Sequence, residues 1–373
     1  MLGREVGERL PRPGHRSLAA DVQEIASGAD LFIANLECCI SDRGARVREP
    51  GKPFYFRAPP MAAMRLADMG VNCVSLANNH ALDFGSEALQ DTLNHLRAAG
   101  IAAVGAGCDE AAARAPVVLD AGGVRVRIVA VSDHPSSYAA GVQRPGIAFA
   151  DLAGAPVPPW LRIASTPNAD ADMTIVLPHW GPNMRASPVP HVRRAAATLQ
   201  AAGATLIAGH SAHVPQGPSG RTLFDLGDFI DDYAVDPGLR NDLGVLWLVT
   251  LDADGPRRLE GVPLRLEFAH TRLAGRDETR LLHSLLQERC AAVGSGVHRQ
   301  GDRLIFELHE HGDAAQAGWL RACARRWRLS RNAIAATPRL KMSVWLIGPP
   351  TWGESRPFFT EVVDRHGIRG HDS

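Results

Sequence analysis

The chain has 373 residues, 45% of them hydrophobic, which is enough for one large core and a smaller unit. Lys plus Arg and Asp plus Glu both number 40, so no long-range field draws the chain to nucleic acid or anionic lipid. The six cysteines form no C-x-x-C pair and Cys38 directly precedes Cys39, a pattern that excludes a disulfide framework or structural zinc site and fits a reducing cytoplasm.

The opening MLGREVGERL is charged and no apolar stretch follows it, so the sequence predicts a cytoplasmic protein with neither a secretory signal nor a membrane anchor. DLFIANLE (30–37) is the first of five short apolar, β-branched runs that read as buried strands. PPMAAMRLADMG (59–70) has helical spacing and leads into the second run, VNCVSLANNH (71–80). SEALQDTLNHLRAAG (86–100) is the next helix, followed by VRVRIVAVSDH (124–134), the Pro-rich loop APVPPW (155–160) and MTIVLPHWG (173–181). VPHVRRAAATLQAAG (189–203) then leads into ATLIAGHSAH (204–213). Strand and helix alternate, which predicts an α/β layer fold. Gly70, Gly100 and Gly203 each separate a helix from an apolar run, as a left-handed residue at a helix end does. From 221 to 268 three strand-like runs with turns between them predict a meander closing the sheet. Beyond it the text becomes Arg-rich and helical, then MSVWLIGPP and a polar tail, so residues 1–268 read as the main domain and 269–373 as a small α+β extension. RACARRWRLSR in that extension reads as a solvated helix face.

Four of the apolar runs stop in residues that bind metals or move protons: Asn35 and Glu37, Asn79 and His80, His179, then His210 and His213. Side chains at the carboxyl ends of strands in an open α/β sheet share one crevice, so these groups are expected to converge. Carboxylate, amide and imidazole without thiolate suit a divalent cation with open positions, which polarises an oxygen while a nearby His handles the proton. Stacked polar groups after a buried run are costly to desolvate without a partner, and Gly209 is expected to give the backbone a tight turn there. Asp83 either caps the helix beginning near Ser86 or orients His80. Turn chemistry alone accounts for Asp225 and Asp228 around Gly227. His134, His191 and His270 read as ordinary structural histidines. Because His179 and His210 end strands, replacing either with Ala is expected to lower bound metal with little loss of folding.

Taken in order, ANLE, LANNHALDFG, HWG, AGHSAHVPQG and LFDLGDFI resemble the motifs of the CapA family, named for bacterial poly-γ-glutamate capsule synthesis. The resemblance spans about residues 1–250. It implies a calcineurin-like metallophosphoesterase fold, a two-sheet sandwich flanked by helices, with a site for one or two divalent ions (Mn, Zn, Fe, Mg or Ca). It also implies roles: Glu37, Asn79, His179, His210 and His213 as metal ligands, and His80, with Asp83 beside it, as the proton donor. The departures bear on the same site. The family's opening strand ends in GDVMLGR and supplies an Asp ligand, whereas this chain begins MLGR; Asn183 stands where HWGxE has Glu, Ser211 replaces a His, and SLGNF becomes DLGDF.

The expected function is metal-dependent hydrolysis of a phosphoester or of an amide or γ-glutamyl bond, with a small-molecule, peptide or polymer substrate. Two alternatives share the fold: metal-assisted epimerisation at a peptide Cα, of the lasso-peptide type, and a degenerate member that binds a polymer or partner without turnover. The sequence does not specify an oligomeric state.

Overall fold

The computed structural model describes residues 2–12, 14–308 and 339–347. The Arg-rich helix expected around RACARRWRLSR and the polar tail lie outside the described residues.

Two sheets face each other. The nine-stranded sheet runs Val297–Gln300, Arg303–Phe306, Gly255–Glu267, Leu243–Asp252, Leu340–Ile347, Leu31–Leu36, Cys73–Ser75, Ala102–Val104, with His270–Leu273 pairing beside Gly255–Glu267. The five-stranded sheet runs Thr222–Leu223, Leu206–Ala208, Met173–His179, Val124–Ser132, Val117–Ala121. The strands that carry the predicted site residues are parallel to their neighbours in the same sheet, as strand–helix–strand connections require.

Alternation along each strand builds four layers. Leu31 and Ile33, with Val126, Ile128, Ile175, Leu177, Val245, Trp247 and Val249, fill the space between the sheets. Phe32, Ala34 and Leu36 point the other way, onto the helices Ala62–Asp68 and Gly85–Ala98. Val129, Val131, Val176 and Ile207 cover the outer face of the second sheet together with Leu161 and Leu199 from Pro159–Ser165 and Pro190–Ala202. Helices thus flank a two-sheet sandwich, the metallophosphoesterase-like arrangement. Gly70, Gly100 and Gly203 all have positive φ, at 90°, 74° and 111°, as their places between helix and strand require.

Of the three expected meander runs, RTLFDLGDFI instead places Thr222–Leu223 parallel to Leu206–Ala208 in the five-stranded sheet; the other two, as Leu243–Asp252 and Gly255–Glu267, pair antiparallel in the nine-stranded sheet, and His270–Leu273 continues them. Residue 268, the expected domain boundary, falls inside this sheet. Past it, the helix Arg276–Ala291 buries Leu282, Leu286 and Cys290 against the inter-sheet core, and Leu340–Ile347 lies at the centre of the large sheet. That strand runs parallel to Leu31–Leu36, Leu36 opposite Ile347, and antiparallel to Leu243–Asp252. No helix among the described residues is long and apolar enough to cross a membrane.

Candidate metal centre

Backbone pairing sets the first two groups of the site. His210 N donates to Pro178 O at 3.0 Å and Trp180 N to His210 O at 3.0 Å, which bridges His179 and His210 across adjacent strand ends. Their Nδ1 atoms lie 2.7 Å apart, and His179 Nδ1 is 3.4 Å from Glu37 Oε1 on the facing sheet. One ligand atom from each of Glu37, His179 and His210 falls within 4.8 Å of the others, and all three residues are buried. Glu37 Oε2, His179 Nε2 and His210 Nε2 have no hydrogen-bond partner despite their burial. A buried carboxylate and two imidazoles, each with one atom left unpaired, fit a divalent cation of the zinc or manganese kind. Burial, reinforced by Asp228, pushes Glu37 well up; burial and the neighbouring imidazoles push His179 and His210 well down. On their own the three groups are driven toward neutral forms, and neutral imidazole is the form that ligates.

Asparagines hold Glu37 in place. Asn35 Nδ2 donates to Glu37 Oε1 at 2.6 Å, and Asn78 Nδ2 donates to Asn35 Oδ1 at 3.1 Å and Leu36 O at 2.9 Å. Asn78 Oδ1 in turn accepts from His80 N at 3.0 Å, so this residue ties the Glu37 strand to the His80 turn.

His80 is also buried. Its Nδ1 meets Asp83 Oδ2 at 2.7 Å, and because a carboxylate only accepts, Nδ1 carries the proton and Nε2 the lone pair. That Nε2 has no partner. Of the two roles open to Asp83, the structure shows orientation of His80; the helix Gly85–Ala98 has no side-chain cap. Asp83 also accepts from Phe56 N at 2.6 Å and Tyr138 Oη at 3.2 Å, and pairs with Lys52 Nζ at 2.7 Å. Lys52 donates as well to Asn79 O.

The other expected site residues lie close by. Asn79 Oδ1 is buried without a partner. His213 stands outside the three-residue group, its Nδ1 2.8 Å from Asp228 Oδ1, although both His179 and His210 feel its charge. Both aspartates, Asp228 and Asp225, thus do more than turn chemistry: Asp225 accepts locally from Gly227 N and also from Ala212 N, within the His210–His213 segment. Ser211 and His213 hold φ of 133° and 62°, conformations that cost about 1–3 kcal/mol each and cluster at functional sites.

Two further expectations are corrected, those for Gly209 and for the strand-end histidines His179 and His210. Gly209 does not adopt a left-handed turn; it is needed because a Cβ would fall 2.4 Å from both Phe224 O and Trp180 Nε1. His134 and His191 are paired as structural histidines are: Asp133 contacts both and accepts from Gly181 N at 2.9 Å, and the His134 ring lies 4.9 Å from that of His179. The strand-end position does not spare folding, because His179 and His210 are each only 1% exposed and bonded to one another.

The His80 environment gives a pH prediction. Burial, the largest influence, drives its imidazole down to about 4 against the pull of Asp83. Folding therefore favours neutral His80. Above the unfolded value near 6.5 neither state carries the proton; as pH falls toward 4 only the unfolded state takes it up, and stability is lost. His80 alone is expected to remove about 3 kcal/mol between pH 7 and 4 in chelator-treated protein. Glu37, Asp225 and Asp228, raised by burial, work in the opposite direction. Urea unfolding of His80→Gln beside the parent isolates the histidine, and identical pH slopes would refute the assignment.

A metallophosphoesterase-like sandwich with a carboxylate and imidazoles gathered at its strand ends defines the class of this protein. Within that class, the chain belongs to the family described as bacterial capsule synthesis protein PGA_cap, whose model matches residues 1–233. A probable polyglutamine synthesis accessory protein of Mycobacterium tuberculosis is 30% identical over 361 residues, covering 82% of this chain and 93% of the relative. The capsule biosynthesis protein CapA of Bacillus anthracis is 25% identical, covering 83% of this chain and 76% of its own. The PGA biosynthesis protein CapA of Bacillus subtilis is 26% identical, covering 72% and 70%.

Proposed function

We propose that this protein is a divalent-metal-dependent hydrolase that cleaves an amide, γ-glutamyl or phosphoester bond during the synthesis or processing of an acidic polymer. One observation carries this reading: Glu37, His179 and His210 meet in the core, and each has one buried polar atom without a hydrogen-bond partner. Leaving such atoms buried costs about 1–3 kcal/mol apiece unless something is held there. The polymer enters from the relatives, whose names describe capsule and PGA biosynthesis.

A cation in this place supplies Lewis acidity and lowers the pKa of a bound water. Glu37, His179 and His210 would hold it, with Asn79 Oδ1, buried and unpaired, and His213 as the further candidates. His80 Nε2 bears the free lone pair and would accept a proton from a water, while Asp83 would steady the resulting imidazolium through Nδ1. Asn35 and Asn78 keep Glu37 aimed inward.

The test is reconstitution with Mn or Zn, elemental analysis after dialysis, and mass spectrometry of products from γ-linked glutamate oligomers and phosphodiesters. Near-stoichiometric metal with fragment release supports the proposal. Deuterium uptake at a Cα without cleavage would replace it with epimerisation, and binding without any product would replace it with a carrier role.

A further inference from the structure

The loop that closes over the His80 turn carries charge that the fold does not use. Between Cys39–Ile40 and Arg57–Ala58 the chain bears Arg43, Arg46, Arg48 and Lys52 against Asp42 and Glu49. Arg43 pairs with Glu87 and Asp91, and Lys52 with Asp83. Arg46 and Arg48 form no ion pair among the described residues. Both are exposed, and with Val47, Glu49, Pro50 and Tyr55 they line an open cleft of about 510 Å³, within the usual range of ligand sites of about 300–1,000 Å³.

This cleft is anchored to the site. Val47 N donates to Asp83 O at 3.0 Å, and Glu49 N to Tyr55 Oη at 3.4 Å. Tyr55 is shared: Arg46 Cζ lies 5.1 Å from its ring centre and Lys52 Nζ 5.7 Å. Lys52 then reaches Asp83 and Asn79 O. A guanidinium resting on a ring keeps its N–H edge free for a planar anion. Lys52 is committed to the buried Asp83 carboxylate and Arg43 to Glu87 and Asp91, which leaves Arg46 and Arg48 as the cations of this loop open to an acidic ligand.

We propose that the cleft between Arg46, Arg48 and Tyr55 is a subsite for the carboxylates of an acidic chain, holding it beside the turn that carries His80 and Asp83. The proposal rests on the reading that the Glu37–His179–His210 site acts on such a chain, but the subsite is a binding feature and does not depend on a metal. Arg46 and Arg48 each take a carboxylate pendant from the chain, the α-carboxylate where the linkage is through the γ-carbon, and Tyr55 packs against the aliphatic part between them. Glu49, in the same lining, disfavours a carboxylate at its own position and so sets the register.

The test is fluorescence anisotropy with a labelled γ-linked glutamate oligomer and chelator-treated full chain. Arg46→Glu/Arg48→Glu is expected to weaken binding at least about 10-fold and to flatten its salt dependence. Arg162→Glu/Arg194→Glu, the same change of net charge on exposed helix positions covering the other sheet, is expected to bind as the parent does. Wild-type affinity in the first pair, or equal loss in the second, overturns the subsite. Inorganic polyphosphate displacing the oligomer at lower concentration than unlabelled oligomer does would reassign the cleft to phosphate and overturn the carboxylate assignment. Elemental analysis of the same variants after reconstitution separates the two readings: a failed metal site leaves oligomer binding intact, and a failed subsite leaves metal content intact.

Discussion

His210→Ala is expected to reduce bound divalent metal from near-stoichiometric to trace amounts and to weaken affinity by more than about 100-fold. Loss of a residue that merely orients a ligand costs about 10–100-fold, and here the ligand itself is removed from a set of three. Folding suffers as well. His179 Nδ1 loses its partner at 2.7 Å and keeps only the longer contact to Glu37 Oε1 at 3.4 Å, a weakening of a buried polar group that costs about 1–3 kcal/mol before any cavity is counted. Elemental analysis and chelator competition measure the first effect and urea unfolding the second. Metal content and affinity equal to the parent would remove His210 from the centre and with it the proposed chemistry.

Asp83→Ala carries the largest expected stability cost, about 3–5 kcal/mol, the usual penalty for stranding one member of a buried ion pair. Its carboxylate serves Lys52, His80, Tyr138 and the Phe56 amide at once, and the Lys52 side chain is only 9% exposed. Removing it strands an ammonium and leaves the His80 proton without a fixed position. Adding Lys52→Met to Asp83→Ala is expected to recover part of the loss, since no cation is then left unpaired. A loss below about 1 kcal/mol in the single variant, or no recovery in the double, would mean that water already serves these groups.

Much of this arrangement was legible because burial writes itself into sequence. Runs such as LFIANL and MTIVLPH are apolar on both faces because one face meets the other sheet and the other meets helices. Their polar ends were therefore conspicuous, and Glu37, His179 and His210 do meet. His134 was discounted although VRVRIVAVSDH ends in a polar pair much as the other runs do; a histidine's neighbours in space were not visible beside it. Lys52 left a clue of another kind. Only Lys52 and Lys341 are lysines in a chain that otherwise uses arginine, and a compact ammonium suits a nearly enclosed position where a guanidinium fork would not fit. The sheet joined by Leu340–Ile347 had no local signature, because strand pairing between residues so distant in sequence depends on which slot is vacant and not on the strand's own pattern.

That pairing governs the order in which the protein can be completed during synthesis. The strand bearing Glu37 has Cys73–Ser75 on one side within the first hundred residues, but its other neighbour is Leu340–Ile347. A nascent chain folds from its amino-terminal side at about 5–20 residues per second, so Leu31–Leu36 waits with an open edge until residue 347 has left the ribosome. Through that interval an apolar strand is available to other chains. Slow translation of the segment before residue 340 therefore lengthens exposure to aggregation, and chaperone dependence should track that delay.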